Sequence, residues 1–541
     1  MLGLMMNTPL SITSIMEHAD IVHGDKEIVS VTKDIPLHRY TYREAFARTR
    51  QLANALAGLD LKLGDRVATL AWNDFRHFEL YYGVSCSGLI CHTINPRLHP
   101  EQVAYVLNHA EDQWLFIDPM FVPLAEAIQE HLKTVKGFIV LTDDASMPES
   151  KLKNARSYEN LIADHPAEFD WPILDENTAC SLCYTSGTTG NPKGVLYSHR
   201  SSVLHAMGSA IGGALSAKED DVVLPIVPMF HVNAWGITYS TPMIGAKLVL
   251  PGPKMGDGET LCKLINSEQV TISAGVPTVW LALVNYLDQS GKTIDSLKSA
   301  AVGGAACPLS VMKGMEKHGV WVQGGWGMTE TSPLGASNVI SDAIRQNAGA
   351  AELDKLRVRT GTKSFGVDMR IMSEDGTEQP WDGKSQGELQ VRGPWVASSY
   401  FQLDNPGAFT DDGWFGTGDV AVIDDFGNMM ITDRTKDVIK SGGEWVSSID
   451  VENAAMAHPD VLEAAVIGVP SEKWTERPLL IVVPAADSKP EKQDILSSLE
   501  GKIAKWWIPE DCLFVEELPH TATGKVSKKD LRVQFKDVSF D

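Results

Sequence analysis

The sequence predicts an α/β protein: a large N-terminal domain of stacked, mostly parallel α/β sheets plus a small β-barrel lobe over residues 1–433, followed by a small mobile α+β domain over 434–541. Three observations predict it. Short β-branched runs (VVLPIVPM, KLVLPG, VTISAGVP, SAAVGGA, VWVQGGW) alternate with helix-length segments, the pattern of buried parallel strands covered by helices. Near residue 400, GELQVRG, WFGTGDVAVID and NMMITD crowd β segments between glycine and aspartate turns, as an antiparallel lobe does. After Asp433 a charged link, RTKD, leads into a stretch with strands and helices of its own.

Each element follows in order. The segment TYREAFARTRQLANALA (41–57) opens on Thr41 and Glu44, a capping-box pair, and continues with Ala45, Leu52, Ala53 and Leu56 at near-helical spacing. GDRVATLAW (64–72) reads as a strand, and a helix-compatible segment separates it from ICHTINP. In the C-terminal part, Ser447–His458 is helix-like and stops at Pro459, and VLEAAVIGVP and LLIVVP are strands. In DILSSLEGKIAKWW, Leu496, Leu499, Ile503 and Trp506 or Trp507 share one helical face before Pro509 ends it.

Composition narrows the function. The chain of 541 residues is 43% hydrophobic and 22% charged, enough to bury a large interior. Its 70 acidic and 47 basic residues leave a formal net charge of −23, which repels phosphate backbones and anionic lipid and argues against a nucleic-acid binder. An anionic ligand therefore needs a local cradle. Seven cysteines at irregular spacing form no disulfide framework and suit a reducing compartment; Cys180 and Cys183 read as small buried residues on a strand. The N-terminus lacks the basic flank and apolar core of a signal peptide, no apolar run is long enough for membrane insertion, and the expected location is cytoplasmic.

The densest chemistry lies in YTSGTTGNPKGVLYSHR (184–200). Behind an apolar strand it packs Thr185, Ser186, Gly187, Thr188, Thr189, Gly190 and Lys193 into a few positions. Glycines let backbone amides wrap an anion, hydroxyls donate further hydrogen bonds, and the lysine adds a point charge. A polyphosphate suits such a loop, although Gly194 after Lys193 and the glycine spacing exclude a Walker A motif.

This loop resembles the phosphate loop of the adenylate-forming superfamily, which includes acyl-CoA synthetases, nonribosomal adenylation domains and luciferases, and the resemblance extends over nearly the whole chain. Gly303–Cys307 (GGAAC) looks like the family's adenine-contacting turn, with Gly304, Ala305 and Ala306 at the nucleotide. WGMTE looks like its aromatic-Gly-Met-Thr-Glu motif, here Trp326, Gly327, Met328, Thr329 and Glu330. Asp419 in WFGTGD, Arg434 and Lys440 in DRTKDVIKSGGEW, and Lys525 in TATGKVSKKDLR follow in the expected order.

The resemblance assigns roles that chemistry supports. Asp419 offers a carboxylate that can accept from both ribose hydroxyls. Trp326 provides a face for adenine, a wall of an acyl tunnel, or simply a packed core side chain. Thr329 and Glu330 pair a phosphate donor with a hard carboxylate, and one glutamate suffices as the protein ligand of Mg2+, which keeps phosphates and waters as its other ligands. Lys525 would swing onto the substrate carboxylate and α-phosphate, where two anions meet and positioned cations are the main help an enzyme can give. One geometry cannot serve both adenylation and thiol attack, so a rotating C-terminal domain is expected, pivoting at Lys436, with Arg434 on the ribose and Gly442, Gly443, Glu444 and Trp445 along the CoA path. In PMFHVNAWG, His231 and Trp235 stand four apart and would share a helical face bordering the acyl pocket, with His231 expected beside Lys525 as a catalytic residue, a gate or polar wall at the carboxylate, or else as a satisfied structural histidine. Gly303 leaves room for a chain there while Trp235 and Trp326 shorten it.

The resemblance thus implies an acid:CoA ligase using ATP, CoA and Mg2+, with homodimers common among relatives. KSGGEWVSSIDVENAAMAHPDVLEAAVIGVP and KWTERPLLIVV resemble the medium-chain branch and imply 3-methylmercaptopropionate, a thioether acid, or a medium-chain fatty acid of similar size and polarity. Three rivals differ testably. A nonribosomal module calls for a downstream carrier domain, a luciferase-like oxygenase would consume oxygen and emit light, and a dead nucleotide binder would lack Lys525 or Glu330.

Overall fold

The computed structural model describes residues 1, 3–185, 191–211, 215–403, 407–441, 444–486, 488–521 and 525–540, with the side chains of Glu444 and Trp445 excepted. A seven-stranded sheet runs in the order Ala155–Ser157, Gly137–Val140, Trp114–Ile117, Arg66–Leu70, Ile90–Thr93, Ala179–Thr185 and Lys193–Ser198. All neighbours are parallel except the last pair. The inner strands are buried on both faces, because helices such as Phe75–Cys86 and Pro100–Ala110 cover them.

The second sheet has thirteen strands. Its central strands, from Trp321–Trp326 through Ser299–Val302, Ile272–Gly275, Val222–Pro225 and Lys247–Leu250 to Glu27–Ser30, are parallel. From Trp326 onward the pairing turns antiparallel through Ala336–Ser337, Gly361–Lys363, Asn428–Arg434, Phe415–Ile423, Gly387–Arg392 and Asp368–Met372. The expected barrel is therefore an open sheet among the described residues. Trp321–Trp326 carries the hydrogen-bond ladder directly from the parallel part into the antiparallel one, so the lobe extends a sheet instead of closing on itself.

The third sheet orders Glu444–Val446, Ile439–Ser441, Thr475–Pro484 and Val461–Ser471, with Asp511–Phe514 parallel to Thr475–Pro484. It carries apolar clusters of its own, one around Ile439, Val466, Leu480 and Ile495, and another around Ile467, Leu479 and Leu531. Ser447 caps the helix Ser448–Met456, and its hydroxyl also donates to the Thr432 carbonyl at 2.6 Å, tying this sheet to the strand before it.

The helix Tyr42–Ala57 begins with the full reciprocal capping box of Thr41 and Glu44. The helix expected over DILSSLEGKIAKWW is only Lys492–Ser498; Gly501 takes a left-handed φ of 74° and breaks it, and a single 3-10 turn, Lys505–Trp507, follows. Leu499, Ile503 and Trp507 still reach the core. Cys180 and Cys183 are buried, and burial pushes the Cys180 thiol up to about 11 and Cys183 in the same direction, which suits inert strand residues. Among the described residues no helix is long and apolar enough to cross a membrane.

Candidate active site

Two side-chain contacts join Trp326, Asp419 and Arg434, all on interior strands of the second sheet. Asp419 faces Arg434 across an antiparallel pair, and Arg434 Nε meets Asp419 Oδ1 at 2.7 Å. The indole Nε1 of Trp326 donates to Asp419 Oδ2 at 2.8 Å. A nearly buried carboxylate is thus held from two sides, and each oxygen keeps a further lone pair for an outside donor. Trp326 is half-buried and lies so close to Gly335 that a Cβ there would fall 2.3 Å from the indole Cζ3. It is a fixed rim to the site, neither free nor part of the core.

Gly327 explains its own place in WGMTE: a Cβ would lie 1.4 Å from the Pro333 carbonyl oxygen, so no other residue fits. The chain then turns through a short 3-10 segment, Thr329–Thr331, that buries both Thr329 and Glu330. The Tyr197 hydroxyl holds the Thr329 carbonyl at 2.7 Å. Tyr400, which sequence reasoning missed, donates to Glu330 Oε1 at 2.7 Å and places its ring 4.8 Å from Lys193 Nζ. Nothing local in SSYF marks Tyr400; only the folded chain joins it to a carboxylate 70 residues away. Burial raises the Glu330 carboxyl above its ordinary value, while Tyr400, Arg434 and Lys193 pull it back toward the charged form. A single hard, partly charge-compensated oxygen fits Mg2+, which is held mostly by phosphates and waters.

Lys525 belongs to the same electrostatic group. Lys525 is exposed overall, and desolvation where its ammonium sits lowers it to about 8; Arg434 and Lys436 add to that, and Asp419 and Glu330 oppose it. His231 feels Lys525 too, and burial and that charge bring its imidazole down to about 4, so it is neutral near pH 7. Lys436 is lowered chiefly by burial. Lys440 leads elsewhere: its ammonium pairs with Glu374 at 2.5 Å on the exposed rim.

The segment after His231 departs from expectation. Val232, Asn233, Ala234 and Trp235 have φ values of 48°, 54°, 49° and 56°, a left-handed turn closed by Gly236 at 72°. His231 and Trp235 therefore do not share a face of a right-handed helix. Such backbone costs ~1–2 kcal/mol per residue and persists only where packing over-determines it. Here the Asn233 side chain is held by Ser181 and Cys183, and Val232 and Ala234 are buried. The turn sets the Trp235 indole against Gly303, where a Cβ would meet its Cη2 at 3.0 Å. Gly304 has a φ of 81° and, with Ala305 and Ala306, faces solvent beyond the end of Ser299–Val302.

Thr185 and Lys193, on either side of the glycine- and threonine-rich segment, are antiparallel partners. Ser186, Gly187, Thr188, Thr189 and Gly190 lie outside the described residues, as do Gly442, Gly443 and the side chains of Glu444 and Trp445. Met328 is half-buried beside Thr329.

Comparison with known proteins adds to this geometry. Residues 17–401 match the AMP-binding enzyme family and residues 450–525 match the AMP-binding enzyme C-terminal domain. The chain is 49% identical over 538 residues to the 3-methylmercaptopropionyl-CoA ligase of Ruegeria lacuscaerulensis, covering 99% of each. It is 47% identical over 541 residues to the medium-chain-fatty-acid–CoA ligase of Ectopseudomonas oleovorans, covering 99% of this chain and 98% of that one. In three dimensions it is similar to the anthranilate CoA ligase AuaEII in complex with anthranoyl-AMP, with a TM-score of 0.87 at 25% identity over 98% of both chains.

Proposed function

The chain belongs to the AMP-binding enzyme family, and from that premise we propose how its residues divide the work and which acid they take. It is an ATP-dependent, AMP-forming acyl-CoA ligase using ATP, CoA and Mg2+. A carboxylate attacks the α-phosphate of ATP to give an acyl-adenylate and pyrophosphate, and the CoA thiol then displaces AMP. Its acid is 3-methylmercaptopropionate, the acid named in the 49%-identical relative, with a medium-chain fatty acid as the alternative.

In the first half-reaction Thr185 to Lys193 cradle the phosphates, Asp419 and Arg434 take the ribose, Trp326 and the Gly304–Ala306 turn border the adenine, and Lys525 neutralises charge between carboxylate and α-phosphate. Glu330, steadied by Tyr400, would hold Mg2+, which screens the phosphate oxygens when bound. Gly303, Trp235 and His231 shape the acid pocket. In the second half-reaction residues 434–541 turn about Lys436, withdraw Lys525 and bring Gly442 to Trp445 toward the thiol route. The Lys440–Glu374 contact would break in that turn. The enzyme works in the cytoplasm as a homodimer.

One observation carries the assignment: an ammonium near the end of the chain shares the field of Asp419, Glu330 and Arg434, three groups drawn from distant segments. CoA-dependent AMP release, measured over acetate, propionate, 3-methylmercaptopropionate, butyrate, hexanoate, octanoate and a cinnamate, tests the reading. The highest kcat/KM should fall on the thioether acid or on hexanoate and octanoate. A preference for the cinnamate would overturn the substrate proposal, and no acid-dependent exchange of pyrophosphate into ATP would overturn the residue roles.

A further inference from the structure

Beneath the helix Pro100–Ala110 lies a pair of titratable side chains with no part in the roles above. His92, in the strand Ile90–Thr93, and Asp112 are both fully buried, and His92 Nδ1 meets Asp112 Oδ2 at 2.7 Å. Among the described residues His92 Nε2 has no partner, an arrangement that costs free energy unless something else binds there. Asp112 precedes its strand and takes the imidazole from the amino edge of the parallel sheet. His92 also forms one wall of a cavity of about 10 Å3, whose other walls include Asn95, Leu98, Tyr184, Thr185 and His231. Thr185 and His231 are residues already placed at the adenylate site. A cavity of that size holds about one water molecule, and its walls offer the polar partners such a water needs.

We propose that the Asp112–His92 pair, through one ordered water in this cavity, accepts the proton of the attacking CoA thiol. The inference rests on the ligase reading. A free thiol has a pKa of ~8.5 and only its thiolate is a good nucleophile, so a proton acceptor near the route speeds the second half-reaction. His231 borders the same cavity but, at about 4, is too weak a base to hold the proton near neutrality. The sulfur–carbon bond forms, the carbon–oxygen bond to the phosphate breaks, and its electron pair leaves with AMP. The proton passes from sulfur to water and from water to His92 Nε2, making an imidazolium that faces the Asp112 carboxylate. Asp112 acts as the positioning residue, holding the proton on Nδ1 so that Nε2 is the acceptor.

The test separates the half-reactions in the full-length protein. His92→Gln and Asp112→Asn are compared with wild type for acid-dependent pyrophosphate exchange, for hydroxamate formation with hydroxylamine, and for thioester formation with CoA. Hydroxylamine is already unprotonated near pH 7 and needs no base. His92→Gln should slow the CoA step about 100-fold, the scale of a lost general base, and leave exchange and hydroxamate formation within about threefold of wild type. Asp112→Asn should slow the same step less. Equal loss in all three assays, or none in the CoA assay, overturns the inference, whereas a wild type without exchange fails the ligase reading itself. If neither variant melts as wild type does, single-turnover thioester formation by wild type in heavy water decides. A normal isotope effect supports proton transfer in that step, and its absence refutes it.

Discussion

Titrating Lys525 is the most direct way to test the first half-reaction. In the free enzyme its ammonium is held at about 8, because desolvation at the charge and Arg434 disfavour it more than Asp419 and Glu330 support it. With that value about nine in ten molecules carry the charge at pH 7 and about one in ten at pH 9. The charged form is the useful one, so activity belongs below the pKa and is lost as pH rises through it. The kcat/KM for pyrophosphate exchange reports the free enzyme and should fall about tenfold per pH unit above pH 8. Bound ATP brings several negative charges, so the same limb in kcat should move to higher pH. Lys525→Arg, whose guanidinium stays charged, should flatten the limb even if its rate is low. Lys525→Ala should lose ~3–5 kcal/mol of transition-state stabilisation in adenylation yet still pass a preformed adenylate to CoA. A wild-type profile flat to pH 9.5, or an alanine variant that keeps the same limb, would refute the reasoning.

Other perturbations reach different parts of the molecule. Tyr400→Phe removes the hydrogen bond that supports ionised Glu330; Mg2+ dependence should shift to about 10–100-fold higher concentration, and an unchanged magnesium titration would argue against the metal role. Gly303→Val adds atoms where even a Cβ lies 3.0 Å from Trp235, so kcat/KM should drop most for the longest acids, while Trp235→Ala should extend the accepted chain length. An acid series unmoved by either change would place the acyl chain elsewhere. Arg76, 1% exposed, joins Asp34 at 3.0 Å and Glu159 at 2.7 Å; Arg76→Ala takes the cation from the largely buried Asp34 side chain and leaves Glu159 only Arg48, and should cost ~3–5 kcal/mol in urea denaturation, a result under ~1 kcal/mol counting against an integral role for the cluster.

Much of the local structure was legible in the chain. The Thr41–Glu44 capping box, the parallel β runs and the order of the nucleotide motifs depend on residues a few positions apart, and short-range hydrogen bonds and side-chain periodicity decide them. Failures came where distant groups compete with local preference. The sequence reads as a right-handed helix at Val232–Trp235, but Ser181 and Cys183 hold Asn233 in a left-handed turn, and Gly501 ends a helix that apolar spacing would have continued. The partners of the candidate site were out of sight for the same reason: Tyr400 on Glu330, Trp326 on Asp419 and Asp112 on His92 are 70, 93 and 20 residues apart. By itself the sequence determined which chemistry this protein carries, since residue types and their order are its own property. Only the tertiary structure decided which groups touch and how strongly each holds its proton, because both depend on what the folded path brings within a few ångströms and on how much water it leaves there.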